Sequence, residues 1–578
     1  MNKRKRITAA AVAVILIICL VSASAAETFV SETGYYSDNM SEDILPSYYH
    51  YEPESFYQRC DEMKELYAEG KLDEAWALYN ELYDEYKEVN DLFVCAELKN
   101  NEDVNDEYYA DEFVYIENTK TEVCNYFKSC CSAFCSGKYA EEFRSFLGND
   151  ELFENFLNYD EIPDELSELL NKEQEMIIEY MQLNNSVQDY VYVEDGTDYT
   201  YDFFISEQSD ELYYDDQERY YDLFSSWYDS AYMEIKELYA EIVSLRKQIA
   251  LLSGYDNYAD YAYDYSYNRS YSYNDLEALR TVIRKYGSDI EDFNSFLSMY
   301  NSYDADTEEI ISEVQSAVSE ISELAAIDFE HLLDNSLLSI GSESSRTQGA
   351  YCEDLLQAED ALICVKSEGN LYDFDTLAHE FGHYVGFTSN PNKEPLFQKI
   401  DLDIAEIHST GLEIMFAEKF GTDMLGDLGD YYRALIVSSY LDSLVAGCCI
   451  DEWETQIYTS DHEMTVEEID ALYEEISAEY GYEGSWYLIP HVFSSPVYYI
   501  SYAVSSLASL QIWDVYRKDS SEAADIWESI IYTDFYHVGY VDAVKNAGLS
   551  GLDDQESIEN IISEAIEFME EVYQEYYW

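Results

Sequence analysis

Between Thr376 and His383 the chain reads T-L-A-H-E-F-G-H. His379 and His383 stand four residues apart, with Glu380 beside the first. On a helix, positions i and i+4 lie on one face, a turn apart, so both imidazoles reach one metal ion. Zinc is the usual occupant of such a pair, and water activation is its usual purpose. Glu380, at the edge of the same face, is placed to polarise that water. Two histidines leave zinc in need of a third protein ligand. Glu406, in A-E-I-H-S-T-G-L-E at 405–413, comes 23 residues after His383, enough for a loop and a second helix packed beside the first. Glu413 lies seven residues further on the same helical face, where it can hydrogen-bond a ligand histidine. His408 is an alternative third ligand, although two positions from Glu406 it faces elsewhere.

The elements that must position these groups read mostly as helix. Apolar positions recur at helical spacing over 56–88, broken at Gly70, which predicts a helical hairpin. It resembles one tetratricopeptide unit, but no repeat recurs at a fixed period. Residues 188–203 read as a break or a short extended segment. Helical patterns resume over 208–252, 274–287 and 304–326. The stretch from Gly341 to Gly369 predicts a loop, a hairpin and a buried strand at 361–366, with the histidine motif directly after it. Asp375-Thr376 offers an N-cap for the motif's helix. Gly382 weakens a helix interior, which suggests that a neighbouring segment comes close there.

The N-terminus is read separately. Lys3-Arg4-Lys5-Arg6 precedes an uncharged apolar run from Ile7 to Val21, and Ala23-Ser24-Ala25 fits a small-x-small cleavage pattern. This predicts a secretory signal peptide over residues 1–25. With no second long apolar segment in the sequence, the mature chain is expected to be soluble and secreted. Ten cysteines remain after the leader, an even number that permits disulfides in an exported chain. Cys352 and Cys364, flanking a short acidic segment, are the one pair open to a guess. A structural zinc site is a competing reading for Cys124, Cys130, Cys131 and Cys135, although their spacing matches no common finger or ribbon.

The net charge is −90, and loss of the leader takes it to about −94. Such a charge excludes nucleic acid as a natural partner and favours cationic ligands. Sixty tyrosines supply apolar area with a polar tip. Runs such as 255–263 look like a compositional habit of the chain rather than a site. A hydrophobic fraction of 47% and only seven prolines argue against disorder.

The T-L-A-H-E-F-G-H segment and A-E-x-x-S-T-x-x-E together resemble the oligoendopeptidase F and thimet oligopeptidase family of zinc peptidases. Leu245–Ala250 followed by Gly254–Tyr258, Arg346–Tyr351, and Ile489-Pro490-His491 with Tyr498-Tyr499 and Tyr502-Ala503 are similar to further segments of that family. The resemblance covers about residues 205–578, which gives an N-terminal helical domain over 26–204 and a catalytic domain over 205–578. It implies a mainly α fold of two lobes around a deep channel, with a small β-hairpin or sheet before the metal helix. It also implies one zinc ion per chain on His379, His383 and Glu406, Glu380 as general base, and His491, Tyr498 or Tyr499, and Tyr502 as hydrogen-bond donors to the reacting carbonyl. The tyrosines after His491 are shifted by about one residue from the family pattern, which leaves Tyr498 and Tyr499 as alternatives. The expected partners are short unfolded peptides, and a monomer is expected. Endopeptidase and carboxyl-end dipeptidase action are both open, and a catalytically silent peptide binder on the same scaffold is the alternative reading.

Overall fold

The computed structural model describes residues 47–159, 163–294, 305–391, 394–397, 399–423 and 425–577. The expected leader lies outside these residues. The fold is mainly helical, with one two-stranded and one three-stranded sheet. Helix Glu54–Glu69 ends at Gly70, whose φ of 79° gives the left-handed cap that glycine adopts without strain. Helices Leu72–Glu102 and Glu107–Cys135 follow, the latter capped by Asp106, whose carboxylate accepts the N–H groups of Tyr108 and Tyr109. Their apolar faces enclose a core that includes Phe56, Cys60, Tyr79, Leu82, Val123, Phe127 and Cys131. Leu396 and Phe397, from a loop near the metal helix, close this core from the other side. A second and larger core runs from Val94 to Val572.

The break over 188–203 is a hairpin, β1 (Tyr192–Glu194) and β2 (Thr197–Tyr199), turned by Asp195 and Gly196, both at positive φ. The three-stranded sheet comprises β3 (Leu338–Gly341), β4 (Ala350–Leu355) and β5 (Asp360–Lys366) in the order β3-β5-β4. Strand β3 is parallel and β4 antiparallel to β5. The guessed disulfide between Cys352 and Cys364 is absent, and both thiols are free. Cys352 pairs with Ile363, whereas Cys364 pairs with Tyr351. An offset of one residue puts the two sulfurs on opposite faces of the sheet. All ten cysteines among the described residues are free thiols.

The histidine motif lies on helix Tyr372–Ser389, called here the metal helix. It starts before Asp375, so Asp375 is not its N-cap. Asp373 serves the entry loop instead, accepting the N–H groups of Glu368, Gly369 and Asn370 at 3.1, 2.7 and 3.3 Å. Glu406 lies on helix Leu402–Asp423, the glutamate helix. The two helices touch backbone to backbone. A methyl group added at Gly382 would overlap the His408 carbonyl and the Ser409 Cα, and one added at Gly386 would overlap the His408 ring. The tyrosine helix, Ile500–Lys518, packs on the other side of the glutamate helix. Helix Gly429–Thr459 is long and apolar enough to cross a membrane, a segment that the sequence reading passed over. The window that qualifies it is 83% buried inside the fold, where it packs against the glutamate and tyrosine helices.

The crossing predicts the effect of Gly382→Ala. Placing a methyl group against backbone atoms forces the helices apart at a cost of about 1–3 kcal/mol. A denaturant melt should show a lower midpoint with an unchanged slope. An unchanged midpoint would show that the two backbones are not in contact at Gly382.

Candidate metal centre

One turn of the metal helix separates His379 from His383, and their rings lie edge to face with centroids 5.0 Å apart. Across the helix crossing stands Glu406. One ligand atom from each of His379, His383 and Glu406 lies within 4.8 Å of the other two. Among the described residues this is the one cluster of such groups able to hold a metal ion. Nε2 of His379 is 3.8 Å from Oε2 of Glu406. Two ligands of one tetrahedral zinc stand roughly 3.4 Å apart, so the pair is close to ligand spacing. Oε2 of Glu406 is buried and has no hydrogen-bond partner. A buried carboxylate oxygen left unpaired is costly unless a cation takes it. The donor set therefore fits zinc: two imidazoles, one carboxylate, and an orphan oxygen aimed between them.

The surroundings fix the ligands. Nδ1 of His379 donates to Oε2 of Glu413 at 2.8 Å, which turns Nε2 toward Glu406. Tyr498 donates its hydroxyl to Oε1 of Glu406 at 2.6 Å, leaving Oε2 for the centre. Beneath them, buried Asp375 accepts the hydroxyl of Tyr432, and Tyr440 donates to the Thr410 carbonyl at 2.8 Å. His408, the alternative ligand, is not in the cluster. Its ring packs against Gly386 and, at 5.1 Å, Phe535, while its carbonyl accepts the Trp527 indole. The cysteines form no such cluster either. Cys130, Cys131 and Cys135 are buried in the smaller core.

Electrostatics separate the four titratable groups. Burial alone would lower the His379 pKa, but the Glu413 hydrogen bond and the charges of Glu413, Glu380 and Glu406 outweigh it and raise it to about 9. Burial, then the neighbouring His379, holds His383 well below the usual histidine range. Burial raises Glu406, and it raises Glu380 to about 7, against the opposing pull of His379. A carboxyl poised near neutrality beside a metal site is suited to taking and returning a proton.

The second wall carries His491, Tyr498, Tyr499 and Tyr502. The His491 ring lies 5.9 Å from those of Tyr498 and Tyr502 and 5.4 Å from that of Tyr499. Nε2 of His491 is 3.3 Å from the Tyr502 hydroxyl, and Nδ1 is buried without a partner. Burial lowers the His491 pKa, which favours the neutral ring. Of the two alternatives, Tyr498 reaches a ligand of the centre, whereas the nearest charges to Tyr499 are those of Asp442 and Glu454. A cavity of about 420 Å³ opens between the N-terminal helices and the body. It is lined by Tyr86, Asn90 and Lys120 on one side and by Glu353, Asp354 and Phe387 on the other. Glu353 lies on β4, which packs against the metal helix.

Against known proteins, the sequence matches no family model and no curated protein. Solved structures do match. A PZ peptidase A bound to an inhibitor superposes with a TM-score of 0.68 at 18% identity, covering 91% of this chain and 98% of that one. A protein from Bacillus anthracis described as an oligoendopeptidase F gives 0.67 at 20% identity over 94% and 99%. Oligoendopeptidase F from Enterococcus faecium gives 0.52 at 15% identity over 90% and 98%. The chain has the oligoendopeptidase F fold. The match runs through the N-terminal helices as well as the body, so the fold likeness extends beyond the segments that carry the sequence resemblance.

The sequence reading missed Asp375 as a buried partner of Tyr432, and it missed Arg269, which links the glutamate helix to the tyrosine segment. No spacing announces either residue, because each meets its partner across the fold.

The raised His379 pKa predicts how metal binding responds to pH. Below about 9 the metal-free imidazole is protonated and must lose its proton to bind. Zinc affinity should therefore rise with pH and level off near 9. Titration calorimetry in buffers of different ionisation enthalpy should show release of about one proton or more at neutral pH. Glu413→Gln should weaken zinc binding by about 10–100-fold and release fewer protons. Unchanged proton release in that variant would mean that Glu413 does not set the His379 pKa.

Proposed function

We propose that this chain is an exported zinc-dependent oligopeptidase that hydrolyses short unfolded peptides. The observation that carries the reading is the His379–His383–Glu406 cluster, half-buried at the histidines and buried at Glu406, with the orphan oxygen of Glu406 facing Nε2 of His379 and Glu380 alongside. The fold shared with oligoendopeptidase F and PZ peptidase A supports it.

Zinc held by His379, His383 and Glu406 would supply a Lewis acid that polarises the scissile carbonyl and acidifies water. The chain's own groups account for the rest. Glu380 accepts the proton of the attacking water and delivers it to the leaving amine. Its pKa near 7 suits both halves of that transfer. Tyr502, Tyr498 and neutral His491 offer hydrogen bonds to the oxyanion as charge develops on it. Tyr498 spends its hydroxyl on Glu406 in the absence of substrate and so would have to trade that bond for one to the carbonyl. Tyr499 stands behind them as packing for His491 and Tyr502.

The test is cleavage of a quenched fluorescent peptide by the secreted protein, with and without a chelator, beside Glu380→Gln. Activity should be chelator-sensitive, and the variant should lose at least about 100-fold while keeping its zinc. Bound zinc without turnover of a broad peptide set would favour a silent peptide binder, and no bound zinc would sink the metal reading.

The charge makes a second prediction. With a net charge of −90, basic peptides should be cut faster than matched acidic ones at low salt. The gap should close as ionic strength rises. Equal rates at low salt would contradict it.

A further inference from the structure

Between His491 and the tyrosine helix the backbone does something unusual. Val497 sits at φ 64°. Glycine reaches that left-handed region freely, whereas for a β-branched residue it is a true outlier. Such strain persists only where the surroundings over-determine it.

They do so at Val497. Its N–H donates to Oε2 of buried Glu454 at 2.9 Å, and its carbonyl accepts from Nη1 of Arg269 at 3.0 Å. The carbonyl of the preceding Pro496 accepts the Tyr267 hydroxyl at 2.9 Å. The Val497 side chain is fully buried. Arg269 reaches further. Its Nη2 donates to Ser501 Oγ at 2.9 Å, and its Nε lies 3.5 Å from Asp403. Asp403 precedes Glu406 by three residues on the glutamate helix, and Tyr498 directly follows Val497. The network therefore spans from the backbone of the turn before Tyr498 to the helix that carries Glu406, with the 2.6 Å contact of Tyr498 and Glu406 closing the circuit.

We propose that Glu454, Arg269 and Tyr267 form a clamp that holds Val497 in the left-handed conformation and thereby sets Tyr498 against Glu406. They are positioning residues for peptide hydrolysis, and in that role the proposal rests on the function proposed above. The clamp acts through the backbone: it fixes where the turn leaves the Pro496 corner, and the tyrosine hydroxyls follow. Released from the clamp, Val497 relaxes to negative φ and swings Tyr498 away from Glu406. Glycine at 497 needs no clamp, because it has no Cβ to strain.

The experiment is a rescue. Glu454→Leu removes the acceptor at similar size and should lower kcat by about 100-fold, the scale of a misplacement near 1 Å, with little change in KM. Val497→Gly alone should lower the melting midpoint through the cavity it leaves but keep kcat near wild type. The double variant Glu454→Leu/Val497→Gly should recover most of the lost kcat, which loss of packing alone cannot explain. Tyr267→Phe, a milder change on a partly exposed side chain, should lose less and be rescued by the same glycine. It carries the test if Glu454→Leu does not fold. Failure of glycine to rescue, or loss in Val497→Gly as deep as in Glu454→Leu, would overturn the clamp. A crystal structure of Glu454→Leu, or of Tyr267→Phe in its place, reads the clamp without activity. Residue 497 should leave positive φ and Tyr498 should part from Glu406; both unchanged would overturn it. A wild-type protein that cleaves no peptide would sink the function proposed above and leave this structural reading intact.

Discussion

The backbone of the glutamate helix lies directly on the backbone of the metal helix, and the rest of the centre depends on that contact. Gly382 lets the two backbones meet, and Gly386 leaves room for the His408 ring. His379 and His383 lie on another side of the same helix, next to the crossing. With the helix axes this close, Glu406 needs only a short reach to stand 3.8 Å from Nε2 of His379. The geometry also fixes the neighbouring turns. Glu413, two turns further along the glutamate helix, meets Nδ1 of His379 at 2.8 Å. A bulkier residue at either glycine would push both glutamates out of register at once. The site is thus set by main-chain packing before any metal contributes.

Much of this was legible in the sequence, because its cause is local. Spacing within one helix gave His379, Glu380 and His383, and spacing between consecutive helices gave Glu406 and Glu413. The buried strand expected at 361–366 is β5, Asp360–Lys366. Where the reading failed, the cause lay in tertiary register. Asp375 has the residue type of an N-cap, but its burial against Tyr432 places it within the helix. Cys352 and Cys364 flank a turn as a bridged pair would, but a one-residue offset in pairing sends them to opposite faces. Arg269, Glu454 and Val497 come from three distant segments, and no pattern in any one of them foretells the left-handed turn.

The abundance of tyrosine takes on a physical meaning once the buried carboxylates are traced. The chain has 121 acidic side chains and only 31 lysines and arginines, so most acids cannot be given a cation. Several that fall within or beside the cores receive a phenol alongside the arginine or histidine they meet. Tyr263 donates to Asp451 at 2.6 Å, Tyr271 to Asp403 at 2.7 Å, Tyr384 to Asp360 at 3.0 Å, Tyr480 to Glu452 at 2.6 Å and Tyr48 to Glu112 at 2.5 Å. Tyr432 to Asp375 and Tyr498 to Glu406 follow the same rule at the centre. A phenol brings a strong donor and a large apolar ring together, so it satisfies a carboxylate oxygen and adds no further charge. Tyr263 lies in the very run, 255–263, that reads as a compositional habit in the sequence. In the fold its ring fills the core while its hydroxyl satisfies Asp451.

At the centre, a phenol rather than an arginine on Glu406 has a consequence. An arginine on Glu406 would hold its carboxylate but would also repel a bound cation. A tyrosine hydroxyl holds one oxygen of Glu406 and adds no charge, so the other oxygen keeps its full attraction for a metal ion. The nearest arginine in this network, Arg269, is kept one step back and spends its charge on Asp403 and on backbone carbonyl oxygen. Arginine thus orders the second layer, while the first layer holds carboxylates and a histidine that gives up its proton on binding, which is the electrostatic arrangement a cation site requires.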